Sequence, residues 1–584
     1  MTLLGTVALA AAMATAQGTN DVPRYDMEVR FAGDMRAVTV TGQAHVPRSL
    51  MKHDTLELRL SSLFHELRFT DESGRAVNSV AIGDTTGARR NYRLIVRGAR
   101  DTVRLRFRYS GGSGIAFGYA LDGEAAFAAS ILTAWYPLLN RADTWVPVRG
   151  TGRVRFRVPD GLTVVASGTR RDAATYDFTV PSFFSYAIAR YIRTVYEGPV
   201  NVTFYTLRER PDTRAHARRT AEVLDVLQQV FGKYPYPEFA MAETPMAQSR
   251  AARFNGVSVE GGMFASTALL DAPFNTAFFG HELSHQWWGV LVNPIGSPGD
   301  QLLSEGLAQF GALRAVQLAE SDSAAQLFRT WGYPGFTRDH SAFGYMKLAA
   351  AGLDRPLVQI SGDAVSAQLV WSKAFLLYDL LAAEVGEGRF RSTLQQLLRA
   401  HAFRTMEWSD FTGAFPGNGA AIDRWFGTAG GEELARVLDL PPLLRAHARA
   451  LVNVTRGEMA RRAGALQDAE RWFAQAAEKV PVPDSAAVEF AARYGQGRIA
   501  LLQGDTATAK SRFEQAIAAP ARNLEAVGGV YLELARLAAA AGDTALLQRM
   551  ADAVITAETA ASTSGSGVER AARELLRTTV PRRQ

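Results

Sequence analysis

One nine-residue segment limits the fold of this 584-residue chain more than any other feature. It reads His-Glu-Leu-Ser-His-Gln-Trp-Trp-Gly from His281 to Gly289, and Glu305 follows twenty positions after His285. In a helix, residues four apart lie on one face about 6 Å apart along the axis, so the two imidazoles can converge on one ion. A carboxylate from a following helix supplies a third ligand and leaves the fourth position open for water. The segment therefore predicts a helix pair built around a metal, with His281, His285 and Glu305 as the ligands of one Zn²⁺ per chain.

Glu282 follows the first histidine directly and would point to the cavity beside the ion. A bound Zn²⁺ lowers the pKa of its water towards ~7, and a carboxylate can then take up the proton as hydroxide attacks a carbonyl. Glu282 is therefore the expected catalytic general base, and the expected chemistry is metal-assisted hydrolysis. The alternative is an ordinary helix with a hydrogen-bonded histidine pair. The run 275–288 is compatible with a helix, and a second apolar run follows Glu305, which favours the metal site.

These residues resemble the gluzincin aminopeptidases of peptidase family M1, whose signature is His-Glu-x-x-His followed after eighteen residues by Glu. The resemblance includes the run 286–289 and Asp300, which stands five positions before Glu305 as an aspartate does in the family. Nineteen residues separate His285 from Glu305 here, and we interpret the extra one as an insertion in the loop 293–299, where Pro and Gly make length easy to change. The resemblance implies that Asp300 is a hydrogen-bond partner of the ligands.

A second motif of the family, Gly-Ala-Met-Glu-Asn, lies on an edge strand, and its Glu holds the free amine of the substrate. The corresponding stretch here runs from Val257 to Gly261 and shares Glu260. A carboxylate near the metal can neutralise an α-ammonium through a charge-assisted hydrogen bond. The resemblance therefore implies that Glu260 binds the substrate, and the alternative is an exposed glutamate at a strand end. The segment 231–237 also resembles the turn that enters the catalytic domain of the family.

The largest departure from the family concerns its catalytic tyrosine, which stands two positions before a lysine and donates its hydroxyl to the tetrahedral oxyanion. The matching run here is Trp-Ser-Lys-Ala-Phe, so Trp371 occupies the tyrosine position. An indole offers an N–H donor in a different place, and loss of one oxyanion donor typically lowers turnover by ~10²–10³. Trp371 is therefore a candidate oxyanion position. Either Tyr345 or Tyr378 supplies the hydroxyl, or the enzyme is slow, or the chain no longer cleaves peptides.

Length, charge and composition narrow the class of protein. A chain of this length is too long for one core, so three or more domains are expected. The net charge is +6 and the arginines are dispersed, so nucleic acid is not an expected partner. The chain contains no cysteine, which excludes disulfides, a thiol nucleophile and a lipoprotein anchor.

The N-terminal residues predict export. The apolar run from Leu3 to Ala12 is too short to span a bilayer, and small residues that fit a cleavage site after Ala16 follow it. We therefore expect a signal peptide at 1–16, no transmembrane span, and a periplasmic or secreted protein of a bacterial envelope.

The periodicity of the chain changes twice. Residues 17–200 contain strictly alternating runs, such as 103–109, that predict a β-rich N-terminal domain. Residues 201–445 alternate helices and short strands around the metal motif, which resembles a thermolysin-like catalytic domain. Residues 446–584 repeat a pattern of small residue, aromatic and small residue after Gly464 and Gly504, with a weaker echo after Gly542. This spacing is close to that of tetratricopeptide hairpins, and a generic helical bundle is the alternative.

The predicted fold class is multidomain α+β: a β-rich N-terminal domain, a thermolysin-like (gluzincin) catalytic domain and an all-α helical-repeat C-terminal domain. The predicted function is that of a zinc metallopeptidase, an aminopeptidase that removes N-terminal residues from peptides through a zinc-activated water. Two alternatives stay open. A gluzincin endopeptidase would not need Glu260, and a weak or inactive gluzincin would keep zinc and act as a binding scaffold, which Trp371 favours. Stacked repeats offer a concave surface to a protein or peptide partner.

Overall fold

The structure is a computed structural model of the chain. It describes residues 22–83, 89–97, 101–130, 132–141, 146–252, 254–294, 299–336, 338–360, 363–478, 485–519, 524–561 and 565–579. The expected signal peptide at 1–16 and part of the inserted loop, 295–298, lie outside these residues. The chain divides into two compact units, the first comprising 1–329, 333–337 and 356–428, and the second comprising 330–332, 338–355 and 429–584.

The first unit begins with the predicted β-rich region. Its strands are β1 (Arg24–Phe31), β2 (Val38–Pro47), β3 (Thr55–Ser61), β4 (Phe64–Thr70), β5 (Ser79–Ile82), β6 (Arg89–Ile95), β7 (Thr102–Gly111), β8 (Gly114–Ala116), β9 (Tyr119–Leu121), β10 (Ala126–Ala128), β11 (Leu138–Leu139), β12 (Gly150–Arg157), β13 (Thr163–Ala166), β14 (Thr169–Arg170), β15 (Thr175–Ser182) and β16 (Tyr186–Ala189).

These strands form three sheets, in the orders β14-β15-β12-β1-β2-β7-β4, β11-β3-β6-β5 and β13-β16-β10-β9-β8. Strand β7 illustrates the alternation that predicts a sheet with one buried face. Its alternate apolar side chains are buried, and the arginines between them are exposed. One sheet face therefore contributes to a core and the other carries the dispersed positive charge.

A mixed region of strands and helices follows along the chain. Its elements are β17 (Ile192–Tyr196), β18 (Asn201–Thr206), α1 (Thr213–Phe231), β19 (Glu238–Thr244), α2 (Met246–Ala251), β20 (Gly256–Val259), β21 (Gly262–Ser266), α3 (Thr267–Asp271), α4 (Thr276–Ser284), β22 (Asn293–Pro294), α5 (Leu307–Ala319), α6 (Asp322–Trp331), α7 (Ala342–Ala350), α8 (Ala364–Leu369), α9 (Phe375–Val385), α10 (Glu387–Ala400), β23 (Thr405–Met406), α11 (Trp408–Gly413) and α12 (Gly419–Phe426). Helix α7 belongs to the second unit.

Two features of this region position the metal motif. The first is a five-stranded sheet of order β17-β18-β19-β21-β20, in which β20 is an edge strand antiparallel to β21. The second is the close packing of α4 against α5. A Cβ at Gly280 would lie 2.8 Å from the Cβ of Ala315 and 3.0 Å from the Cα of Ala312, so only glycine lets the helices approach this closely.

The second unit is all-helical over its described residues. After α7 it contains α13 (Gly431–Val437), α14 (Pro442–Arg462), α15 (Leu466–Ala477), α16 (Ser485–Leu502), α17 (Thr506–Ala518), α18 (Leu524–Ala540), α19 (Thr544–Ala560) and α20 (Gly567–Thr579). The pairs α14–α15, α16–α17 and α18–α19 pack as successive helical hairpins. Gly464, Gly504 and Gly542 stand at the three hairpin turns with φ of 78°, 80° and 71°, which explains the periodic glycine. Their assignment as tetratricopeptide repeats stays a prediction.

The boundary of the helical unit differs from the one that the sequence suggested. The expected division at 445/446 falls within α14, and the helical unit comprises the chain from residue 429 onwards together with 330–332 and 338–355. The reason is tertiary packing, because α7 lies against α14, and Arg456 donates a hydrogen bond to the carbonyl of Ala350 at 3.1 Å. Over the described parts of both units, each helix is too short or too polar to cross a lipid bilayer.

Candidate metal centre

The two histidines of the motif lie at the C-terminal end of α4. The helix begins after Asn275, whose side chain accepts a hydrogen bond from the amide of Phe278 at 2.9 Å. It ends at Ser284, and His285 caps it with a backbone that is still helical, at φ −59° and ψ −22°. The imidazoles of His281 and His285 therefore stay on one face, and their Nε2 atoms lie 3.3 Å apart.

The helix is shorter than the helix-compatible run 275–288 suggested. Gly289 adopts φ 110°, a conformation that favours glycine, and reverses the chain directly after the two tryptophans. Trp288 then forms a β-bridge with Val292. This reversal follows the end of the helix and creates a tight turn, residues 285–292, beside the second histidine.

Glu305 lies in a π-helical turn, Leu302–Gly306, directly before α5. Its Oε2 atom lies 3.3 Å from Nε2 of His281 and 3.7 Å from Nε2 of His285. One ligand atom from each of the three residues lies within 4.8 Å of the others. Two imidazole nitrogens and one carboxylate oxygen are the donor set of an open zinc site, so the three residues fit a zinc ion. The number of ions per chain stays a prediction.

Each imidazole is held through its second nitrogen. Nδ1 of His281 lies 3.0 Å from Oε1 of Gln309, and Nδ1 of His285 lies 3.0 Å from the backbone oxygen of Trp288. Because both partners are acceptors, the hydrogen bonds place the proton on Nδ1 and direct the Nε2 lone pair at the centre. The sequence analysis missed Gln309, although it stands four residues after Glu305, about one helical turn away.

The role that the resemblance implied for Asp300, as a hydrogen-bond partner of the ligands, stays a prediction. Its carboxylate accepts a hydrogen bond from the amide of Gln301 at 2.7 Å, and burial raises its pKa. The described partners of the two histidine Nδ1 atoms are the side chain of Gln309 and the backbone oxygen of Trp288.

The charges of the ligands depend strongly on one another. Burial opposes the charged form of His285, but Glu305 and Glu282 together raise its pKa to about 9. Burial likewise opposes the charged form of Glu305, but His285 and His281 hold its pKa well below the ordinary value. The carboxylates therefore create a negative potential at the point where the imidazoles converge, which favours a cation there.

Glu282 lies beside this point and contacts the edge strand β20. Its carboxylate Oε2 lies 3.3 Å from the hydroxyl of Ser258, which also donates a hydrogen bond to the backbone carbonyl of Glu282. Glu282 is buried, at 9% exposure. The side chain that sequence reasoning chose as general base is thus adjacent to the metal ligands and oriented by the sheet.

Glu260 follows the end of β20 and is almost fully buried, with 3% of its surface exposed. Its Oε1 atom accepts a hydrogen bond from the amide of Phe183 at 2.7 Å. Burial raises the pKa of Glu260, and the positive charge of Arg149 partly offsets this effect. The alternative of an exposed glutamate at a strand end is therefore wrong, and the carboxylate is buried at the turn between β20 and β21.

Gln286 connects the turn after α4 to the strands that carry Glu260. Its Nε2 atom donates to the carbonyls of Val259 and Gly262 at 2.9 and 3.0 Å, and its Oε1 accepts from the amide of Gly261 at 3.1 Å. The glutamine of the motif thus sets the position of Glu260 relative to the histidines.

Arg149 connects the β-rich region to the same turn, and sequence reasoning missed it. The guanidinium is buried and donates to the carbonyls of Gly289 at 2.8 Å and Leu291 at 3.2 Å. It also lies over the ring of Phe183 at 5.3 Å. Arg149 therefore contacts the segment that holds Glu260 and the turn that holds His285. The sequence did not indicate this role for Arg149, because arginine is frequent throughout the β-rich region.

Trp371, the candidate oxyanion position, lies in a second π-helical turn, Val370–Ala374. Its indole Nε1 donates to Oε2 of Glu305 at 3.0 Å. The hydroxyl of Tyr378 is buried and donates to the carbonyl of Leu302 at 3.0 Å. Tyr345 lies in the second unit, where its hydroxyl is bonded to Asp354. Both tyrosine hydroxyls that sequence reasoning considered thus already have acceptors.

The chain is similar to one known protein family in sequence and to several solved structures in fold. Residues 265–425 match the family model described as Peptidase family M1 domain. The crystal structure of an M1 zinc metallopeptidase from Deinococcus radiodurans has a TM-score of 0.51 at 18% identity, covering 72% of this chain and 95% of that one. Native leukotriene A4 hydrolase from Saccharomyces cerevisiae has a TM-score of 0.56 at 16% identity, covering 96% of this chain and 92% of that one.

A mutant of the Deinococcus radiodurans enzyme bound to a Tyr-Ser-Ala substrate has a TM-score of 0.50 at 18% identity, with 72% of this chain and 95% of that chain covered. No curated protein matches the chain. The structural likeness confirms the predicted fold class, with a β-rich N-terminal domain, an M1-type catalytic domain and an all-helical C-terminal region.

Proposed function

We propose that this chain, a zinc metallopeptidase with a Peptidase family M1 domain at residues 265–425, is an aminopeptidase that hydrolyses the N-terminal bond of peptides. His281, His285 and Glu305 would hold the ion. A zinc ion bound there supplies a water of lowered pKa and polarises the scissile carbonyl. The tripeptide bound by the structurally similar bacterial enzyme is a substrate of the expected size.

Two carboxylates of the chain would carry out proton transfer and substrate binding. Glu282 is positioned to accept the proton of the attacking water and to return it to the leaving amine, as a general base and then a general acid. Glu260 would hold the α-ammonium of the substrate by a charge-assisted hydrogen bond.

The observation that carries the proposal is the way in which β20 connects these two carboxylates. Ser258 contacts Glu282, and Glu260 stands two residues further on, in the turn between β20 and β21. Gln286, the residue after the second histidine, is hydrogen-bonded to Val259, Gly261 and Gly262 around this turn, so the turn that carries the amine anchor is fixed to the end of the helix that carries the general base. A substrate held at Glu260 by its first amine would present its first peptide bond, not an internal one, to Glu282.

The test is a matched pair of peptides that differ only in an N-terminal acetyl group. We expect the purified chain to hydrolyse the free peptide and to leave the acetylated one intact. Equal cleavage of both would indicate a gluzincin endopeptidase. Zinc content measured on the same sample by elemental analysis shows whether the protein that was assayed carried metal.

A second candidate function is a zinc-containing binding scaffold with weak or no peptidase activity. Trp371 favours it, because it stands at the sequence position of the family tyrosine and its indole N–H is bonded to Glu305. In that case a protein or peptide partner would bind the helical hairpins, and removal of zinc would change thermal stability more than hydrolysis. A slow wild-type turnover with stoichiometric zinc is the result that separates this candidate from an ordinary aminopeptidase.

Export is part of the proposal and rests on the N-terminal apolar run alone. N-terminal sequencing of protein recovered from a bacterial envelope fraction should begin at residue 17 if cleavage follows Ala16.

A further inference from the structure

Glu305 and Trp371 each occupy a π-helical turn, Leu302–Gly306 and Val370–Ala374. Such turns are rare, cost helix stability and are frequent at functional sites, where they re-aim one side chain out of the regular helical pattern. Here the two side chains that the turns re-aim are hydrogen-bonded to each other, at 3.0 Å between Nε1 and Oε2. Two separate irregularities thus produce one contact.

The backbone around Glu305 is held by the same part of the chain. The hydroxyl of Tyr378 donates to the carbonyl of Leu302, the first residue of the turn. A Cβ at Gly306 would lie 3.0 Å from the Cβ of Ala374 and 3.1 Å from the ring of Tyr378, so the two turns are in direct contact. Segment 370–378 therefore supports both the backbone and the carboxylate of the ligand.

The chemistry of the indole suits this role. An indole N–H is a donor only and does not compete for a cation, whereas the carboxylate oxygen has lone pairs for both a hydrogen bond and a metal. Oε2 is the oxygen that faces both histidine Nε2 atoms, at 3.3 and 3.7 Å. A donor on this oxygen stops the carboxylate from rotating about its terminal bond and so presents one oxygen, in one direction, to the ion.

We propose that Trp371 is a positioning residue for the metal ligand Glu305, and that its indole N–H orients the carboxylate for zinc. In this role the indole N–H donates its hydrogen bond to Glu305, so it does not donate one to the oxyanion. This inference rests on the metal site of the proposed function and adds a role for Trp371 that the family tyrosine would not have.

The test compares the zinc affinity of Trp371→Phe with that of the wild type, by competition with a chromophoric chelator and without any peptide. Phenylalanine keeps aromatic bulk and removes the N–H. We expect zinc binding to weaken by about 10–100-fold, the usual effect of removing a hydrogen-bond partner of a ligand. Trp371→Met, a flexible apolar side chain, should show the same loss if the phenylalanine variant does not fold.

Trp425→Phe is the matched control, because Trp425 also donates its indole N–H to a carboxylate, that of Glu384 at 3.3 Å, elsewhere in the first unit. Its zinc affinity should equal that of the wild type. With Co²⁺ in place of zinc, the visible absorption bands should change in the Trp371 variants and not in the control, because the bands report ligand geometry.

The outcomes separate the two proposals. A wild type that binds no zinc contradicts the proposed function. A wild type that binds zinc, together with Trp371 variants that bind it equally well and have unchanged Co²⁺ spectra, overturns the positioning role alone.

Discussion

The carboxylate of Glu260 and the backbone amide of Phe183 lie 2.7 Å apart, although 77 positions separate them in the chain. The β-rich region thus orients the proposed amine anchor from one side, and Gln286 fixes the strand turn from the other. A carboxylate oriented in advance loses little conformational entropy when it binds an ammonium group, so its removal should affect substrate binding and turnover together.

Glu260→Gln should raise KM and lower kcat for peptides with a free N-terminus, because the amide keeps the shape but cannot neutralise the α-ammonium. Steady-state kinetics on free and acetylated peptides measure both constants. Glu238→Gln is the control, since Glu238 is exposed at the start of a strand of the same sheet. A variant at Glu260 with wild-type KM would remove the amine-anchor assignment.

The KM for free peptides should also depend on pH through Glu260. Only the ionised carboxylate holds an ammonium group, and burial raises the pKa of Glu260 above its ordinary value of 4.5. As the pH falls through this raised pKa, Glu260 takes up a proton and the anchor is lost, so KM should rise at a higher pH than for an ordinary glutamate. Glu260→Gln should lack this rise, and identical pH profiles for the two proteins would contradict the prediction.

His285→Ala should lose the zinc that the wild type carries, because two remaining ligands do not hold the ion in an open site. Elemental analysis of the purified proteins checks this expectation, with one zinc per wild-type chain. His65→Ala, a change at an exposed histidine of β4, should retain the metal. Stoichiometric zinc in the His285 variant would exclude the assigned ligand set.

Glu282→Gln should keep zinc and lose activity. The amide preserves the size of the side chain but cannot accept the proton of the attacking water, so hydrolysis should fall by at least ~10². Peptide turnover and zinc content are measured on the same preparation. If turnover stayed near the wild-type rate, another group would have to be the general base.

Trp371→Tyr should raise kcat and leave KM nearly unchanged, because a new hydroxyl at the family position would act mainly in the transition state. The expected gain is at most ~10²–10³, the value of one oxyanion donor. The assay must be run at saturating zinc, since the variant also loses the indole bond to Glu305. A wild type already as fast as ordinary aminopeptidases would show that a different residue supplies the donor.

Sequence reasoning reached the parts of the site that depend on local spacing. The four-residue interval between His281 and His285 follows from helix geometry, and Glu305 follows from the need for a third ligand on the next helix. The end of α4 at Ser284 was not predictable in the same way, because the helical pattern continues through the two tryptophans. In the structure the backbone bonds shorten after Ser284, where the amides of Gln286 and Trp287 donate to the carbonyls of Leu283 and Ser284, and Gly289 at φ 110° then reverses the chain.

The residues that were missed act across long separations in the chain. Arg149 reaches Leu291 over 142 positions, and nothing in its local sequence distinguishes it from the other arginines of the β-rich region. Gln309 is recognisable only once the face of α5 that meets His281 is known.

The bonds from Arg149 to Gly289 and Leu291 bear on how this enzyme could be shortened or engineered. A fragment that began near residue 201 would keep every proposed metal ligand and both proposed catalytic carboxylates, yet it would lack the guanidinium that satisfies two carbonyls of the turn after His285. It would also expose Glu260 without the amide of Phe183. The β-rich region therefore contributes hydrogen bonds to both sides of the proposed active centre, and we expect a fragment without it to lose that support.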